Sequence, residues 1–316
     1  MVHSVVASAY GGPEVLTMID RELGAPGPGE VLIDVTGAGT NPADYKFYSG
    51  DFGADESALP MPLGMEVAGV VTAVGVDPQG ISGRLAVGDE VIAFPVNGGY
   101  AEQIIAAAAD VVAKPAGLAF EQAAGLLAAG TTAAHLLSAT DVAAGDTVLI
   151  HGAAGGVGLL VTQLAILKGA TVIGTASPGR HDALRRHGAV PVEYGPGLAA
   201  RVHELATGGV DVALDLVGTD EAIEVSLELV ATQRRIATIA GFGKVAGTAI
   251  KLLGGGGPEA DLGTEVRDTS RLELAQLAGS GRLDVTVDRR FPLARAAEAH
   301  RYLQTGHAAG KVVLLP

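Results

Sequence analysis

The chain has 316 residues and a formal net charge of −14, from 21 Lys and Arg against 35 Asp and Glu. This length predicts about two domains, and the acidic balance disfavours a nucleic-acid or anionic-membrane partner, which needs a basic face. The absence of cysteine excludes disulfides and thiolate metal sites. No signal-peptide pattern opens the chain and no apolar run is long enough to span a bilayer, so we expect a cytoplasmic protein.

The first third of the chain is punctuated by glycine and proline, and its short apolar runs at 31–35, 67–76 and 90–94 predict strands. This pattern favours an all-β module, built as a distorted barrel. The last segment carries a predicted helix at 293–304 and a final strand at 311–315, and we expect it to return to the β module. The β module therefore comprises 1–119 and 282–316.

From about residue 120 the period changes to that of alternating helices and strands. A helix is predicted over 122–139, and strands are predicted at 147–151, 171–175, 190–193, 210–216, 235–239 and 248–253. Such alternation implies a parallel sheet with right-handed crossovers. The second domain is therefore predicted to comprise 120–281. A glycine-rich loop is predicted at 254–258, which a ligand or a neighbouring subunit would order.

The stretch 148–158 is the most informative motif of the chain. An apolar strand runs into a turn of small residues, and a helix is predicted from 159 to 168. Ala153, Gly155 and Gly158 occupy the three positions of the G-x-G-x-x-G fingerprint, where small residues let a pyrophosphate approach the backbone. The helix start would then present free N–H groups to the phosphates. The alternative reading is a plain glycine-rich turn in an α/β domain.

The residues after the second strand of this domain indicate which nicotinamide cofactor would bind. NAD-selective sites place an acidic residue there to hold the ribose 2′-OH, but here no acid appears before Asp182. Ser177 and Arg180 instead suit a 2′-phosphate, and Tyr194 would cover the same pocket. The motif thus favours NADP(H), the alternative being that Arg180 is a solvated loop residue.

Several segments together carry a resemblance to a known family: 39–46, 62–69, 87–91, 99–102, 130–133, 151–158 and 310–314. The chain resembles the medium-chain dehydrogenase/reductase superfamily, specifically its zinc-independent quinone oxidoreductase and enone reductase branch. The resemblance implies an α/β protein with a GroES-like β-barrel catalytic domain plus a Rossmann domain, a doubly wound parallel sheet. It also implies a homodimer, for which the edge strand predicted at 248–253 is a candidate pairing surface.

The resemblance also bears on zinc. Asn41 and Met65 stand where the zinc-dependent relatives carry Cys and His, and Glu66 and Asp44 alone make a poor zinc site. We therefore expect no metal. Without zinc, reduction of a small-molecule quinone or α,β-unsaturated carbonyl is easier than alcohol oxidation, since the protein need only orient the acceptor and donate hydrogen bonds to its oxygen.

The predicted catalytic residues are Asn41, Lys46 and Tyr100. Asn41 lies near the nicotinamide and substrate in the relatives, and a Lys46 ammonium would stabilise a developing enolate. A surface position for Lys46 is the alternative. Tyr45 and Tyr48 are interpreted as packing or pocket-lining residues.

The resemblance implies cofactor contacts at residues that mostly follow strand ends. These are Thr131, Ala153, Gly155, Gly156, Val157, Gly158, Ser177, Arg180, Tyr194, Val217, Ala240, Gly241 and Lys311. The eight histidines are interpreted as structural or solvated. An NADPH-binding sensor or structural protein with little turnover is the alternative to an enzyme.

Overall fold

The computed structural model describes residues 1–254 and 260–316. The glycine-rich loop predicted at 254–258 therefore lies, apart from Gly254, outside the described residues. Within the described part of the chain, no helix combines the length and the apolar character needed to cross a membrane.

The N-terminal elements are mostly short strands. In chain order they are β1 (Val2–Ala7), β2 (Leu16–Arg21), β3 (Glu30–Thr40), α1 (Pro42–Ser49), β4 (Met61–Pro62), β5 (Glu66–Val74), β6 (Gln79–Gly80), β7 (Gly83–Arg84), β8 (Glu90–Ala93), β9 (Gln103–Ala107), β10 (Val111–Ala113) and α2 (Phe120–Ala123).

Helices and strands then alternate until the chain ends in a strand–helix–strand segment. The elements are α3 (Leu127–Ala139), β11 (Thr147–His151), α4 (Gly156–Leu167), β12 (Thr171–Thr175), α5 (His181–Arg186), β13 (Val190–Val192), α6 (Leu198–Leu205), β14 (Val212–Asp215), α7 (Asp220–Leu229), β15 (Ile236–Thr238), β16 (Lys251–Leu252), α8 (Thr264–Gly279), β17 (Val287–Pro292), α9 (Ala296–Gln304) and β18 (Lys311–Leu315).

The chain forms two compact units, one of Met1–Ala129 with Arg271–Pro316 and one of Gly130–Ser270. The second unit therefore begins later and ends earlier than the predicted second domain, 120–281. One reason is that α2 packs on β3. The other is that Arg271 of α8 donates to the Phe94 carbonyl at 2.6 Å, which ties the C-terminal part of that helix to the β module.

The first unit is built around β3, whose burial alternates along its first half and is complete over its last four residues. One edge of β3 pairs with β5, and the other pairs first with β9 and then with β18, all antiparallel. The resulting sheet runs β10-β8-β5-β3-β18-β17, and a second sheet runs β2-β1-β4. Through its pairing with β3, β18 of the C-terminal segment becomes part of the first of these sheets.

The second unit is a parallel sheet in the order β13-β12-β11-β14-β15-β16. The chain winds outward from β11 in one direction and returns to wind in the other from β14. The predicted doubly wound parallel sheet is confirmed. The order reverses between β11 and β14, and in such sheets ligands bind beyond the carboxyl ends of the strands at this point.

Three predicted elements differ from the structure in ways that have a clear physical cause. The helix predicted at 122–139 is broken between α2 and α3, where a tight turn brings Gly125 against the side chain of Lys311. The strand predicted at 248–253 shrinks to β16, because the Thr248 N–H closes a turn onto the Val245 carbonyl at 3.1 Å. The helix predicted at 293–304 begins with a 3₁₀ turn, and α9 starts at Ala296.

Candidate active site

The register of β3 brings together three polar residues that are far apart in sequence. Gly39 pairs with Glu66 on β5, and Thr40 pairs with Val312 on β18. Asn41, which follows β3, therefore meets Glu66 from one neighbouring strand and Lys311 from the other. We call these three residues, Asn41, Glu66 and Lys311, the Asn41 cluster.

The Asn41 cluster is a buried, charged hydrogen-bonded group. The Lys311 ammonium donates to Asn41 Oδ1 at 2.6 Å and to Glu66 Oε1 at 2.9 Å. Asn41 Nδ2 donates to the same Glu66 oxygen at 3.1 Å, and Glu66 Oε2 accepts from the N–H of Ala128 at 2.9 Å. Glu66, Lys311 and Asn41 are only 0%, 4% and 9% exposed. A buried ion pair of this kind depends on additional hydrogen bonds, which Asn41 and the N–H of Ala128 supply here.

Asn41 also begins α1, with Pro42 at the first helical position. Its backbone N–H donates to Asp44 Oδ2 at 2.7 Å, which is the reciprocal arm of a capping box. Its backbone carbonyl accepts from the Asp44 N–H at 3.0 Å. The backbone of Asn41 is thus held by α1, and its side chain is held by β5 and β18.

A second buried group, which we call the Asp44 network, consists of Asp44, Tyr100, His300 and Tyr48. Tyr100 donates its hydroxyl to Asp44 Oδ2 at 2.8 Å and lies 2.9 Å from His300 Nε2. His300 Nδ1 lies 2.8 Å from the Tyr48 hydroxyl. With the His300 proton on Nε2, every bond runs in one direction, from Tyr48 through His300 and Tyr100 to Asp44. The network therefore holds Asp44 in place, and the Asp44 carboxylate accepts from the backbone N–H of Asn41.

Burial dominates the acid–base properties of the Asp44 network. It raises the pKa of Asp44 to about 7, although the hydrogen bonds from Tyr100 and Asn41 act in the opposite direction. It lowers the pKa of His300 to about 4 and raises that of Tyr100 well above its ordinary value. Neutral His300 and neutral Tyr100 are thus the forms present near pH 7.

The structure contradicts the predicted role of Tyr100 as a hydrogen-bond donor to an acceptor molecule. Its side chain is fully buried and its hydroxyl is engaged by Asp44 and His300. The motif 99–102 gave no sign of this burial. Lys46 lies half-buried in the last turn of α1, and its predicted role stays a prediction.

In the second unit, β12 holds the glycine turn that follows β11. The N–H of Gly152 donates to Thr175 Oγ1 at 3.0 Å, and that of Ala153 donates to the Thr175 carbonyl at 3.1 Å. Helix α4 then begins directly after Gly155. A Cβ atom at Gly158 would lie 2.3 Å from the Gly152 carbonyl oxygen, so helix and turn touch backbone to backbone. This is the close approach that a pyrophosphate cradle requires.

The end of β12 carries no acidic side chain. Ser177 precedes the 3₁₀ turn Pro178–Arg180, and both Ser177 and Arg180 are half-buried. The nearest acid, Asp182, is paired with Arg185 at 2.7 Å. Tyr194 follows β13 and is 54% exposed. The arrangement leaves a guanidinium and a hydroxyl where NAD-selective sites place a carboxylate.

A buried pair that the sequence does not predict, Asp215 and Thr238, organises the loops after β14 and β15. Asp215 Oδ1 accepts from the N–H groups of Val217 and Gly218 at 3.0 and 2.8 Å, and its Oδ2 accepts from Thr238 Oγ1 at 2.6 Å. Thr238 Oγ1 in turn accepts from the N–H groups of two residues predicted to contact the cofactor, Ala240 and Gly241, at 3.1 and 2.8 Å. The only hint in the sequence was the position of each residue at a strand end.

The remaining predicted cofactor residues differ in their exposure and in the unit to which they belong. Thr131 is fully buried on α3, and Val217 is 47% exposed beyond β14. Gly156 and Val157, at the start of α4, are half-buried. Lys311 belongs to the Asn41 cluster of the first unit.

The residues at the zinc-ligand positions of the zinc-dependent relatives are engaged by Lys311 or are poor metal ligands. Asn41 Oδ1 and Glu66 Oε1 both accept from the Lys311 ammonium, so a divalent cation would have to displace a buried cation to reach them. Met65 offers only a thioether, a ligand that zinc sites do not favour. Among residues 1–254 and 260–316, no group of three or more His, Asp or Glu side chains is placed to hold a metal ion.

Comparison with known proteins decides the family. Residues 27–116 match the alcohol dehydrogenase GroES-like domain, and residues 190–314 match the zinc-binding dehydrogenase family. A quinone oxidoreductase of Pseudomonas aeruginosa is 36% identical, with 100% of both chains covered. The chain belongs to the medium-chain dehydrogenase/reductase superfamily, in its quinone oxidoreductase branch.

Two further members of this superfamily carry cofactor information in their names. The chloroplastic NADPH-dependent alkenal/one oxidoreductase of Arabidopsis thaliana is 33% identical over 98% of this chain and 78% of its own length. The Escherichia coli quinone oxidoreductase, solved in complex with NADPH, is 28% identical with a TM-score of 0.83, covering 99% of this chain and 100% of that one. The predicted GroES-like and Rossmann domains are confirmed.

Proposed function

We propose that this protein is an NADPH-dependent oxidoreductase that transfers a hydride, without zinc, to a quinone or an α,β-unsaturated carbonyl. The observation that carries the proposal is the Asn41 cluster, in which an amide, a carboxylate and an ammonium replace a metal site. Relatives named quinone oxidoreductase and alkenal/one oxidoreductase support the same reaction class.

The second unit fits the dinucleotide. We assign the pyrophosphate to the turn and helix start at Ala153, Gly155, Gly156, Val157 and Gly158, where the backbone contact at Gly158 leaves no room for a side chain. We assign the 2′-phosphate to Ser177, Arg180 and Tyr194, because a guanidinium forms charge-assisted hydrogen bonds to phosphate.

The nicotinamide end is assigned to the loops after β14 and β15, through Val217, Ala240 and Gly241, with Thr131 as a further contact. Asp215 and Thr238 fix the backbone of both loops. When bound, the reduced nicotinamide supplies the hydride, and preorganised loops lower the cost of holding it in position.

In the first unit, side chains must stabilise the negative charge that develops on the carbonyl oxygen of the quinone or enone when it accepts the hydride. We assign this role to Asn41, with Lys46 as the residue to stabilise an enolate, and exclude Tyr100 because its hydroxyl is engaged. A hydrogen-bond donor at such an oxygen is worth about 10²–10³ in kcat. Water can then supply the proton that completes the hydroquinone or saturated carbonyl.

The test is NADPH oxidation by the purified protein with matched quinone and enone acceptors, followed at the absorbance of the reduced cofactor. We expect turnover with at least one acceptor class and weaker binding of NADH than of NADPH in a fluorescence titration. Arg180→Leu should remove most of the preference for NADPH. Tight NADPH binding without turnover of either class would contradict an enzyme and favour a sensor.

We also propose a homodimer, as the family resemblance implies, that pairs through the edge strand β16. We further propose a location in the cytoplasm. Activity that elutes at the mass of one chain in size-exclusion chromatography would contradict the dimer.

A further inference from the structure

The orientation of the Asn41 carboxamide is decided by the charges beside it. The Lys311 ammonium has hydrogen atoms to donate and no acceptor, whereas the ionised Glu66 carboxylate can only accept. Lys311 Nζ lies 2.6 Å from Oδ1 and Glu66 Oε1 lies 3.1 Å from Nδ2. A rotated amide would place its NH₂ group against the ammonium and its oxygen against the carboxylate. The ion pair thus allows one orientation.

One hydrogen of this amide is left over. Nδ2 carries two N–H donors, and Glu66 takes one of them. The backbone N–H and carbonyl of Asn41 are both taken by Asp44. Within residues 1–254 and 260–316, no hydrogen bond of the protein uses the second Nδ2 hydrogen. Asn41 is therefore held at four polar groups, namely Oδ1, Nδ2, the backbone N–H and the backbone carbonyl, and has a single N–H left to donate.

We propose that Glu66 and Lys311 are positioning residues, which lock the Asn41 carboxamide so that its second N–H is presented to the carbonyl oxygen of the acceptor. The inference rests on the proposed reduction of a quinone or enone. Fixed donors stabilise developing charge better than mobile ones, because they need no reorganisation as the reaction proceeds. The ion pair then serves to orient the Asn41 carboxamide rather than to stabilise the fold.

The stem of Lys311 provides a way to disturb this arrangement without removing any polar group. A Cβ atom added at Gly125 would lie 3.0 Å from both Cβ and Cγ of Lys311, closer than side chains normally pack. Gly125→Ala should therefore move the ammonium by a few tenths of an ångström while leaving every charge in place.

The kinetic test compares Glu66→Gln, Lys311→Met, Gly125→Ala and the double variant E66Q/K311M with the wild type. We expect each single charge change to lower kcat by about 10- to 100-fold, with a smaller loss for Gly125→Ala and little change in the KM for NADPH. The same chemical changes at exposed positions, Glu228→Gln and Lys168→Met, serve as controls and should leave kcat unaltered.

The double variant separates positioning from stability. Removing both charges eliminates the unpaired buried ion that each single variant creates, so its melting temperature should recover toward that of the wild type. If the pair only stabilises the fold, kcat will recover as well, and that result would overturn the proposal. If the pair orients the amide, kcat stays low in a stable protein.

A measurement independent of activity distinguishes this inference from the proposed function. The chain has two asparagines, Asn41 and Asn97, so selective side-chain ¹⁵N labelling gives two NH₂ signal pairs that an Asn97→Gln variant assigns. We expect Glu66→Gln to shift or broaden the Asn41 pair and to leave the Asn97 pair in place. An unchanged Asn41 pair would refute the locked orientation, whereas a wild type that reduces no acceptor would refute the proposed function alone.

Discussion

Helix α4 can approach the preceding turn closely only because residue 158 is a glycine and has no side chain. In Gly158→Ala the new Cβ would lie 2.3 Å from the Gly152 carbonyl oxygen, so the backbone must shift. We expect a loss of about 1–3 kcal/mol in the free energy of unfolding and markedly weaker NADPH binding. Urea denaturation and cofactor fluorescence titration measure the two effects.

The matched control for this variant is Gly208→Ala in the same unit, where an added Cβ meets no atom within 4 Å. It should bind NADPH as the wild type does. Wild-type affinity in Gly158→Ala would mean that the cofactor does not use this turn.

The residues of the site were predictable one at a time, but their grouping was not. Motifs identified Asn41 and Lys311 separately, although 270 positions separate them and only the β3–β18 register makes them neighbours. Nothing in the sequence shows that Glu66 is paired with Lys311. The prediction for Tyr100 is wrong because the partners of its hydroxyl depend on tertiary packing rather than on its motif.

At the scale of elements, the sequence predicted type and order better than bounds. The bounds of β11 and β12 agree with those predicted, because short apolar runs flanked by turn residues define both strands. The sequence does not predict the break between α2 and α3, since six of the seven residues 123–129 are alanine or leucine, which favour a helix, and only packing against Lys311 distinguishes Gly125.

The loops after β14 and β15 both depend on the hydroxyl of Thr238. Thr238→Val keeps the shape of the side chain but deprives Asp215 of a donor and the N–H groups of Ala240 and Gly241 of their acceptor. We expect a loss of about 1–3 kcal/mol in unfolding free energy together with weaker NADPH binding. Thr238→Ser should restore both quantities, and equal behaviour of the two variants would contradict a role for the hydroxyl.

Across the whole molecule, buried titratable groups make stability depend on pH in two opposing ways. Burial lowers the pKa of His151 and His300 to about 4, from 6.5 in the unfolded chain. Between these values the unfolded chain binds protons that the folded chain does not, so the free energy of unfolding falls as the pH falls. Asp44 acts in reverse, because its pKa rises from 3.8 to about 7 and its contribution is lost as the pH rises through that range.

Asp44→Asn separates the two effects. The variant lacks the stabilising protonation of Asp44 but keeps both histidines, so acidification from pH 7 to 4 should destabilise it more steeply than the wild type, by at most about 4 kcal/mol. Denaturation midpoints across this pH range measure the difference. Parallel curves for the two proteins would show that Asp44 is ionised throughout.

The lack of cysteine has a meaning beyond the exclusion of disulfides and metal sites. Quinones and enones are soft electrophiles, and the nucleophile they consume most readily in proteins is a thiolate. Sulfur occurs in this chain only in its four methionine thioethers, and the Asn41 cluster presents an amide and a protonated amine. A catalyst for such acceptors built without thiols lacks the group by which its own substrates would most readily alkylate it.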